Sequence, residues 1–509
     1  MLFNSFGFLF FFLPIVLAGY FALGRRHPLW GAWWLALASL FFYGYGSLVY
    51  LPLLLLSVVF NFICGRRLAA AIAPSWRKRW LVVALGANLG LLAWYKYTNF
   101  FFANVDALLG ADWQGWHIVL PIGISFFTFT QIAFLVDCYR GQAREYRFGH
   151  YLLFVSYFPH LIAGPILHHR EMMPQFADAG NSRPSAANFA VGLSIFVVGL
   201  AKKVLIADNI APLVNPVFAA GAHPALVEAW IGTLAYAFQL YFDFSGYCDM
   251  AIGLSRLFGI KLPLNFNSPY KAADISEFWR RWHMTLSRFL REYLYIPLGG
   301  NRHGMAARHR NLMITMLLGG LWHGAGWTYI IWGGLHGLYL IVHQFWWHRR
   351  HQGHPSRSRW RRFGSVALTF GAVALAWVFF RAPDVASAID VLGALVGANG
   401  VGLPRGMAAQ ADWWHLLGLT PRFDGIRWIE FAGPGLPALG IGMALTFLAP
   451  NTQEIFAHYE PSIERLFHGN AHAWLRWSPR PAWGLALATL FVACIFGMNK
   501  VSDFLYFQF

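Results

Sequence analysis

Phe6 to Leu23 reads FGFLFFFLPIVLAGYFAL, a run without one charged side chain. At 1.5 Å per residue, a helix of that length approaches the ~30 Å hydrocarbon thickness of a bilayer. Similar runs follow at Trp30 to Tyr45, Leu48 to Cys64 and Trp80 to Tyr95. Others lie near 118–137, 150–167, 188–207, 227–242, 244–259, 311–326, 327–347, 364–381, 433–449 and 483–498. Several sit at the short end of the spanning range, so the sequence predicts roughly ten to thirteen membrane-embedded segments, some of them re-entrant or broken. The fold class expected is all-α, a polytopic membrane helical bundle, because in lipid a helix satisfies its own backbone groups.

Composition agrees. Apolar residues make up 57% of the 509 residues and charged residues 12%, about half the charged share of an ordinary soluble domain. The first run lacks a basic segment before it, and its positive charges, Arg25 and Arg26, follow it, so it reads as a permanent span and not as a signal peptide. Arg25 and Arg26, then Arg66, Arg67, Arg77, Lys78 and Arg79, fall on alternate connections, while the link between the second and third spans is uncharged. Basic loops mark the cytoplasmic side, which puts the N-terminus on the outer side and the Trp347 to Arg362 loop in the cytoplasm.

The formal net charge of +17 is explained by the same basic loops and by attraction to anionic membrane lipids. No long basic arm exists to suggest nucleic acid as a partner. Cys64, Cys138, Cys248 and Cys494 are scattered through apolar runs, which reads as core packing, with neither a disulfide framework nor a metal site. No soluble domain or repeat of fixed period stands out, so residues 1–509 are read as a single polytopic membrane domain. The longest weakly hydrophobic connection runs from Pro383 to about Glu430, with Gly397, Gly400, Gly402, Pro404 and Gly406 as breakers. Counting spans puts it on the outer face.

Asp274 to Leu298, DISEFWRRWHMTLSRFLREYLYIPL, differs from its neighbours. Trp279, Trp282, Leu286, Phe289, Leu290 and Tyr293 recur every three or four residues, with Glu277, Arg280, Arg281, Arg288, Arg291 and Glu292 away from that stripe. The pattern predicts one amphipathic, cationic helix lying in the interface or lining a wet cavity.

Of the 20 histidines, copies such as His168, His169, His348 and His351 sit in polar flanks. His323 is different. It lies within LLGGLWHGAGW, residues 317–327, where an ionisable group is costly unless partnered or near water. A helix-packing histidine is the plain alternative, but the flanking glycines permit a helix break and close approach of substrate. His336, in WGGLHG, follows 13 positions later (336 minus 323). On one straight helix that is ~20 Å, so either the chain turns near Gly324 to Trp327 or the two act separately. His283, inside the cationic helix, is the third candidate, with an interfacial role as its equal alternative. An imidazole can take the proton from an attacking hydroxyl or thiol, which acyl transfer from a thioester requires.

Gln239 to Met250 gathers Asp243, Asp249 and Ser245 in an apolar region. The two acids point to different faces of a regular helix and must find partners. They can hold Arg280 or Arg281, orient a histidine, or form part of an ion path; the structural role is favoured. No Gly-x-Ser-x-Gly elbow, Walker A loop or dinucleotide-binding fingerprint is apparent, so the chemistry is base-assisted and needs no nucleotide hydrolysis.

These landmarks occur in a known order. LPIGISF at 120–126, FPHLIAGP at 158–165, the segment Gln239 to Gly253, EFWRRWH at 277–283, LGGNR at 298–302 and LWHG at 321–324 together resemble the membrane-bound O-acyltransferases (MBOAT), in the branch containing the alginate O-acetyltransferase membrane subunit. The likeness covers roughly residues 1–385, and residues 386–509 match less clearly. It implies an MBOAT-like ring of helices around a central funnel, with His323 as the catalytic histidine at its narrow point and His283 as a second polar residue facing the same tunnel. His336 also matches a histidine of that branch. It further implies acetyl-CoA as the acetyl donor on the cytoplasmic side of a bacterial inner membrane, no bound cofactor, and a periplasmic polysaccharide acetyltransferase as partner. Arg280, Arg281, Arg288 and Arg302 would then attract the donor's phosphates. Ala325-Gly326-Trp327 departs from the alginate subunit, so cellulose, peptidoglycan or another exopolysaccharide fits the same machinery. The rival readings are a transporter for a glycan or solute, built on Asp243, Asp249 and Arg281, and D-alanyl transfer to a cell-wall polymer.

Overall fold

A computed structural model describes residues 1–70, 73–110, 118–145, 147–350, 358–402, 411–416, 421–422, 433–464, 473–498 and 504–505. They are predominantly helical, joined by turns and extended stretches, and the one strand pairing among them is a short parallel contact of Val401–Gly402 with Pro421–Arg422. Most of the connection from 403 to 430, and the basic loop at 351–357, lie outside the described residues.

The first four helices carry their basic residues at alternate connections. Helix α1 (Leu13–Arg26) ends on Arg25 and Arg26, cations favoured by the negative end of the helix dipole. His27 then caps α2 (Pro28–Ser47), its Nδ1 accepting the Leu29 amide at 3.2 Å ahead of a proline at the first helical position. Helix α3 (Leu51–Ala69) again ends on two arginines, and α4 (Pro74–Leu109) runs 36 residues to a left-handed glycine, Gly110. Asn61 of α3 and Asn88 of α4 exchange amide hydrogen bonds of 3.1 and 2.7 Å inside the apolar layer, where each would otherwise be unpaired.

Helix α5 (Ile124–Tyr139) is buried along nearly its whole length, and Arg77 donates to the carbonyls of Cys138 and Tyr139 at its end. That contact places the end of α5 on the same basic face as the start of α4. The expected segment near 150–167 is a helix only over α6 (Phe148–Ser156). Nine residues reach about 13 Å, too short to cross, and 157–168 continues as buried turns enclosed by protein. His168 and His169, expected in a polar flank, are buried: His168 lies 3.1 Å from the Tyr293 hydroxyl and His169 3.5 Å from Glu145. His169 opens the short helix α7 (His169–Ala177).

Helix α8 (Ala186–Ala201) continues as a wider π turn, Lys202–Ala207, into α9 (Asp208–Val214). The expected spans at 227–242 and 244–259 are one helix, α10 (Leu226–Leu257). Its central acids do not break it, because the π turn opposite supplies their partners. Helices α8 and α10 meet with their backbones almost touching: a Cβ on Gly192 would stand 2.7 Å from the Gly253 carbonyl, and one on Gly199 2.7 Å from that of Gly246. Small residues of this kind let helices approach closely in lipid.

The predicted continuous helix over 274–298 is instead a bent hairpin: α11 (Ile275–Arg281), α12 (Met284–Leu290) and a π turn, Arg291–Tyr295. Then come α13 (Gly304–His323), α14 (Trp327–Arg350) and α15 (Arg359–Arg381). Shorter apolar helices follow at Val385–Leu395, Gly435–Leu448 and Pro481–Gly497.

By length and apolarity, Phe8–Arg26, the Pro28–Ala69 stretch, Ala186–Val214 and Arg359–Arg381 suffice to cross a membrane. Leu37, Leu56, Phe101 and Leu368 project from the outside of the bundle; an apolar exterior on this scale belongs in lipid. The chain is a multi-pass helical membrane protein. All four cysteines are buried and free.

Candidate active site

His323 ends α13. The next residue, Gly324, is extended, and α14 starts at Trp327, so the chain does turn at 324–326 and the two helices return side by side. A Cβ on Gly320 would stand 2.2 Å from the Tyr329 carbonyl, and one on Gly333 2.3 Å from that of Met316. Only glycine lets the two backbones pass this closely. The turn abolishes the ~20 Å separation of a straight helix: the Trp332 ring lies 5.1 Å from His323 on one side and 4.8 Å from His336 on the other.

A helix that stops inside a protein leaves its last four carbonyls without partners. Here each has one. Gly320 accepts from the Gly324 amide at 3.3 Å, and Leu321 from the Tyr97 hydroxyl at 3.0 Å. The buried ammonium of Lys96 donates to Trp322, to His323 at 3.3 Å and to Ser125 Oγ at 3.2 Å. Two successive residues of α4 therefore fix the end of α13 through its terminal carbonyls. Lys96 was absent from the sequence-derived site, although its signal was present: one lysine inside the apolar stretch LLAWYKYTNFFF, 91–102.

His283 reaches the same place from another direction. It is the fully buried tip between α11 and α12, in a left-handed backbone conformation (φ 43°, ψ 53°), which is sterically costly outside glycine. The extended stretch after α10 holds this tip. The Met284 amide donates to the Asn265 carbonyl at 3.0 Å, the Asn267 amide to the Arg281 carbonyl at 2.9 Å, and His283 Nδ1 lies 3.0 Å from Asn265 Oδ1. The imidazoles of His283 and His323, 40 positions apart in sequence, have centroids 6.3 Å apart. Phe244, Trp322, Trp332 and Phe380 surround the pair.

His336 is enclosed by the rings of Phe278, Trp279 and Trp332, and neither of its nitrogens has a hydrogen-bond partner among the described residues. It shares the Trp332 ring with His323 as a neighbour. Asp243 and Asp249 lie elsewhere again. Lys203 bridges Asp243 at 2.7 Å and Asp208 at 2.9 Å, and the Leu505 amide donates to Asp243 at 2.9 Å. Asp249 takes Lys202 at 2.6 Å and Thr452 Oγ1 at 2.6 Å. Neither acid holds Arg280 or Arg281 as the sequence had allowed. The nearby lysines of the π turn take them, and the arrangement is a structural clamp between α8, α10 and the C-terminal segments.

The hairpin also lines a cavity of about 370 Å³ bounded by Trp279, Arg280, Thr285, Arg288, Arg291 and Glu464, among others. Of the four arginines expected to bind donor, two are here. Arg280 donates to Ser276 Oγ at 2.8 Å, while Arg288 is held by both oxygens of Glu171 at 2.6 and 3.0 Å. Arg281 pairs with Glu277 at 2.7 Å outside the lining, and Arg302 is also outside it. Arg291, noted in the sequence only for its charge, joins the lining. Arg140 donates to the Glu292 carbonyl at 3.3 Å, which ties the cavity to the basic face. Among the described residues no group of three His, Cys, Asp or Glu side chains is placed to hold a metal.

A buried imidazole pair thus lies inside a helical membrane bundle, with Met284 and Thr285, next along the chain from His283, lining the cavity that Arg280, Arg288 and Arg291 also line. Residues 35–380 match the membrane-bound O-acyltransferase family, MBOAT, and the chain belongs to that family. It is therefore an O-acyltransferase, in place of the transporter reading. The peptidoglycan O-acetyltransferase of Helicobacter pylori is 48% identical over 433 residues, covering 79% of this chain and 81% of its own length. The probable alginate O-acetylase AlgI of Pseudomonas aeruginosa is 37% identical over the whole of both chains. The teichoic acid D-alanyltransferase of Streptococcus thermophilus is 28% identical, covering 51% of this chain and 68% of its own.

Proposed function

We propose that this protein passes acetyl from a cytoplasmic thioester donor, acetyl-CoA, across a bacterial inner membrane for O-acetylation of an exported polysaccharide. The observation that carries the reading is the approach of His323 and His283 to 6.3 Å from two separately anchored elements. In the reaction, an acceptor oxygen bonds to the acetyl carbonyl carbon, its proton passes to an imidazole, and the thiolate leaves and recovers a proton. His323 acts as that base, with His283 sharing the reacting group. The same group serves if acetyl is first relayed to a periplasmic acetyltransferase partner.

Arg280 and Arg291 support a phosphate-bearing donor at the cavity, since guanidinium groups pair well with phosphate. The basic connections on that face support its assignment as cytoplasmic, with the N-terminus periplasmic. The names of the relatives favour a polysaccharide or peptidoglycan acceptor over teichoic acid, because the D-alanyl relatives match half of the chain at lower identity.

The test is ester-linked acetate and D-alanine in peptidoglycan and exopolysaccharide from a strain carrying His323→Ala, at wild-type membrane levels of the protein. Loss of acetate from one polymer identifies the acceptor. Loss of D-alanine instead would replace acetyl with D-alanyl transfer. Unchanged ester content in every polymer would return His323 to a packing role.

A further inference from the structure

We infer that Asn265 is a positioning residue that fixes the His283 imidazole with its proton on Nδ1 and its lone pair on Nε2. This rests on the membership of His283 in the transfer site proposed above.

The assignment follows from donors and acceptors around one oxygen. Asn265 Oδ1 lies 3.3 Å from the Thr285 backbone nitrogen, 3.0 Å from Thr285 Oγ1 and 3.0 Å from His283 Nδ1. A backbone N–H only donates, so the atom facing it is the amide oxygen and not the amide nitrogen. The hydroxyl is consistent with this: Thr285 Oγ1 already accepts the Ile166 amide at 3.0 Å and can give its own proton to Asn265. The other end of the amide agrees as well, with Nδ2 directed at Cys248 Sγ, 3.3 Å away. An amide oxygen only accepts, so His283 Nδ1 must be the donor. In a neutral imidazole the second nitrogen then carries the lone pair.

The mechanics point the same way. Asn265 is fully buried and grips the hairpin tip twice, by its side chain and by the carbonyl that receives the Met284 amide. These bonds hold a non-glycine residue in the left-handed region, and such conformations persist only where the surroundings over-determine them. A tip histidine serving packing alone needs neither that backbone nor a defined tautomer. A ring that must present the Nε2 lone pair to a reacting group needs a defined tautomer, and the fixed tip supplies its orientation.

The experiment is ¹⁵N NMR of protein labelled at histidine and held in lipid nanodiscs, with His283→Gln used to identify the 283 signals, together with polysaccharide acetylation by Asn265→Ala and Asn265→Asp. The wild-type spectrum should show the proton on Nδ1. Asn265→Ala should change that signature and lower acetylation about 10- to 100-fold, by analogy with the partners that orient metal-bound histidines. Asn265→Asp keeps an acceptor oxygen and should restore most of the activity. A proton on Nε2 in the wild type overturns the inference even if the variants fail to fold, as does Asn265→Ala with unchanged spectrum and acetylation. Full acetylation by His283→Gln would instead overturn the catalytic use of His283 and leave the tautomer standing.

Discussion

Lys96→Met tests whether α4 holds the transfer site in place. The substitution keeps a side chain of similar length and removes the three donors that serve Trp322, His323 and Ser125. Each buried carbonyl left unpaired costs about 1–3 kcal/mol, hence about 2–6 kcal/mol for two. Burying an ammonium has its own cost, which the variant escapes, so the expected net loss is about 2–3 kcal/mol by the same accounting. Tyr97→Phe, which removes one neutral donor from Leu321, should cost about 0.5–1.5 kcal/mol. If the lost anchoring is felt where His323 meets its substrate, Lys96→Met slows transfer about 30- to 150-fold at 1.4 kcal/mol per decade. The assay is unfolding free energy in mixed micelles alongside acetyl content of the polymer, at matched protein levels. Wild-type stability and wild-type acetylation in Lys96→Met, or a larger effect from Tyr97→Phe, would refute the argument.

Other consequences are open to measurement. Gly333→Ala drives a Cβ to 2.3 Å from the Met316 carbonyl and should force α13 and α14 apart, with a stability loss of about 1–3 kcal/mol and loss of acetylation; normal activity would show that the pair tolerates separation. Arg291→Ala should raise the acetyl-CoA concentration giving half-maximal rate about tenfold while leaving the maximal rate, as expected when a charge-assisted contact outside the reacting centre is lost. Glu145, on the loop between α5 and α6, is pushed up by burial but pulled further down by the His169 and Arg147 hydrogen bonds, so its carboxyl sits below the ordinary range. Its stabilising contribution is present above the unfolded carboxylate pKa and lost as pH falls through the folded value; Glu145→Gln should flatten the acid limb of an unfolding-versus-pH curve.

The helical membrane class was legible because burial in lipid imposes long apolar runs on the sequence. His323 stood out for the same reason, as an ionisable group where none is cheap. What periodicity could not carry was the effect of distant partners. The stripe from Trp279 to Tyr293 fits a continuous helix, and it breaks at His283 because Asn265, from another segment, receives the tip. The acids of α10 resembled a break between two spans until Lys202 and Lys203 were placed opposite them. The turn after His323 was one of two options in the sequence; Gly320 and Gly333 decide it through a backbone contact between helices. Lys96 was readable and missed, since a lone lysine at the end of an apolar run resembles an ordinary flank.

The buried Asp243 carboxylate has a bearing on the order in which the chain assembles. One of its oxygens accepts the Leu505 amide, 262 positions later in the chain, and the Phe504 ring lies over its partner Lys203, 4.7 Å from the ammonium. Helix α10 can enter the membrane and find α8 early in translation, but this charge cluster stays incompletely covered until Phe504 and Leu505 have been made and have packed against it. Closure around α10 therefore waits for a segment far along the chain, and a chain stopped before residue 504 should remain open to protease at α10 after its helices have inserted.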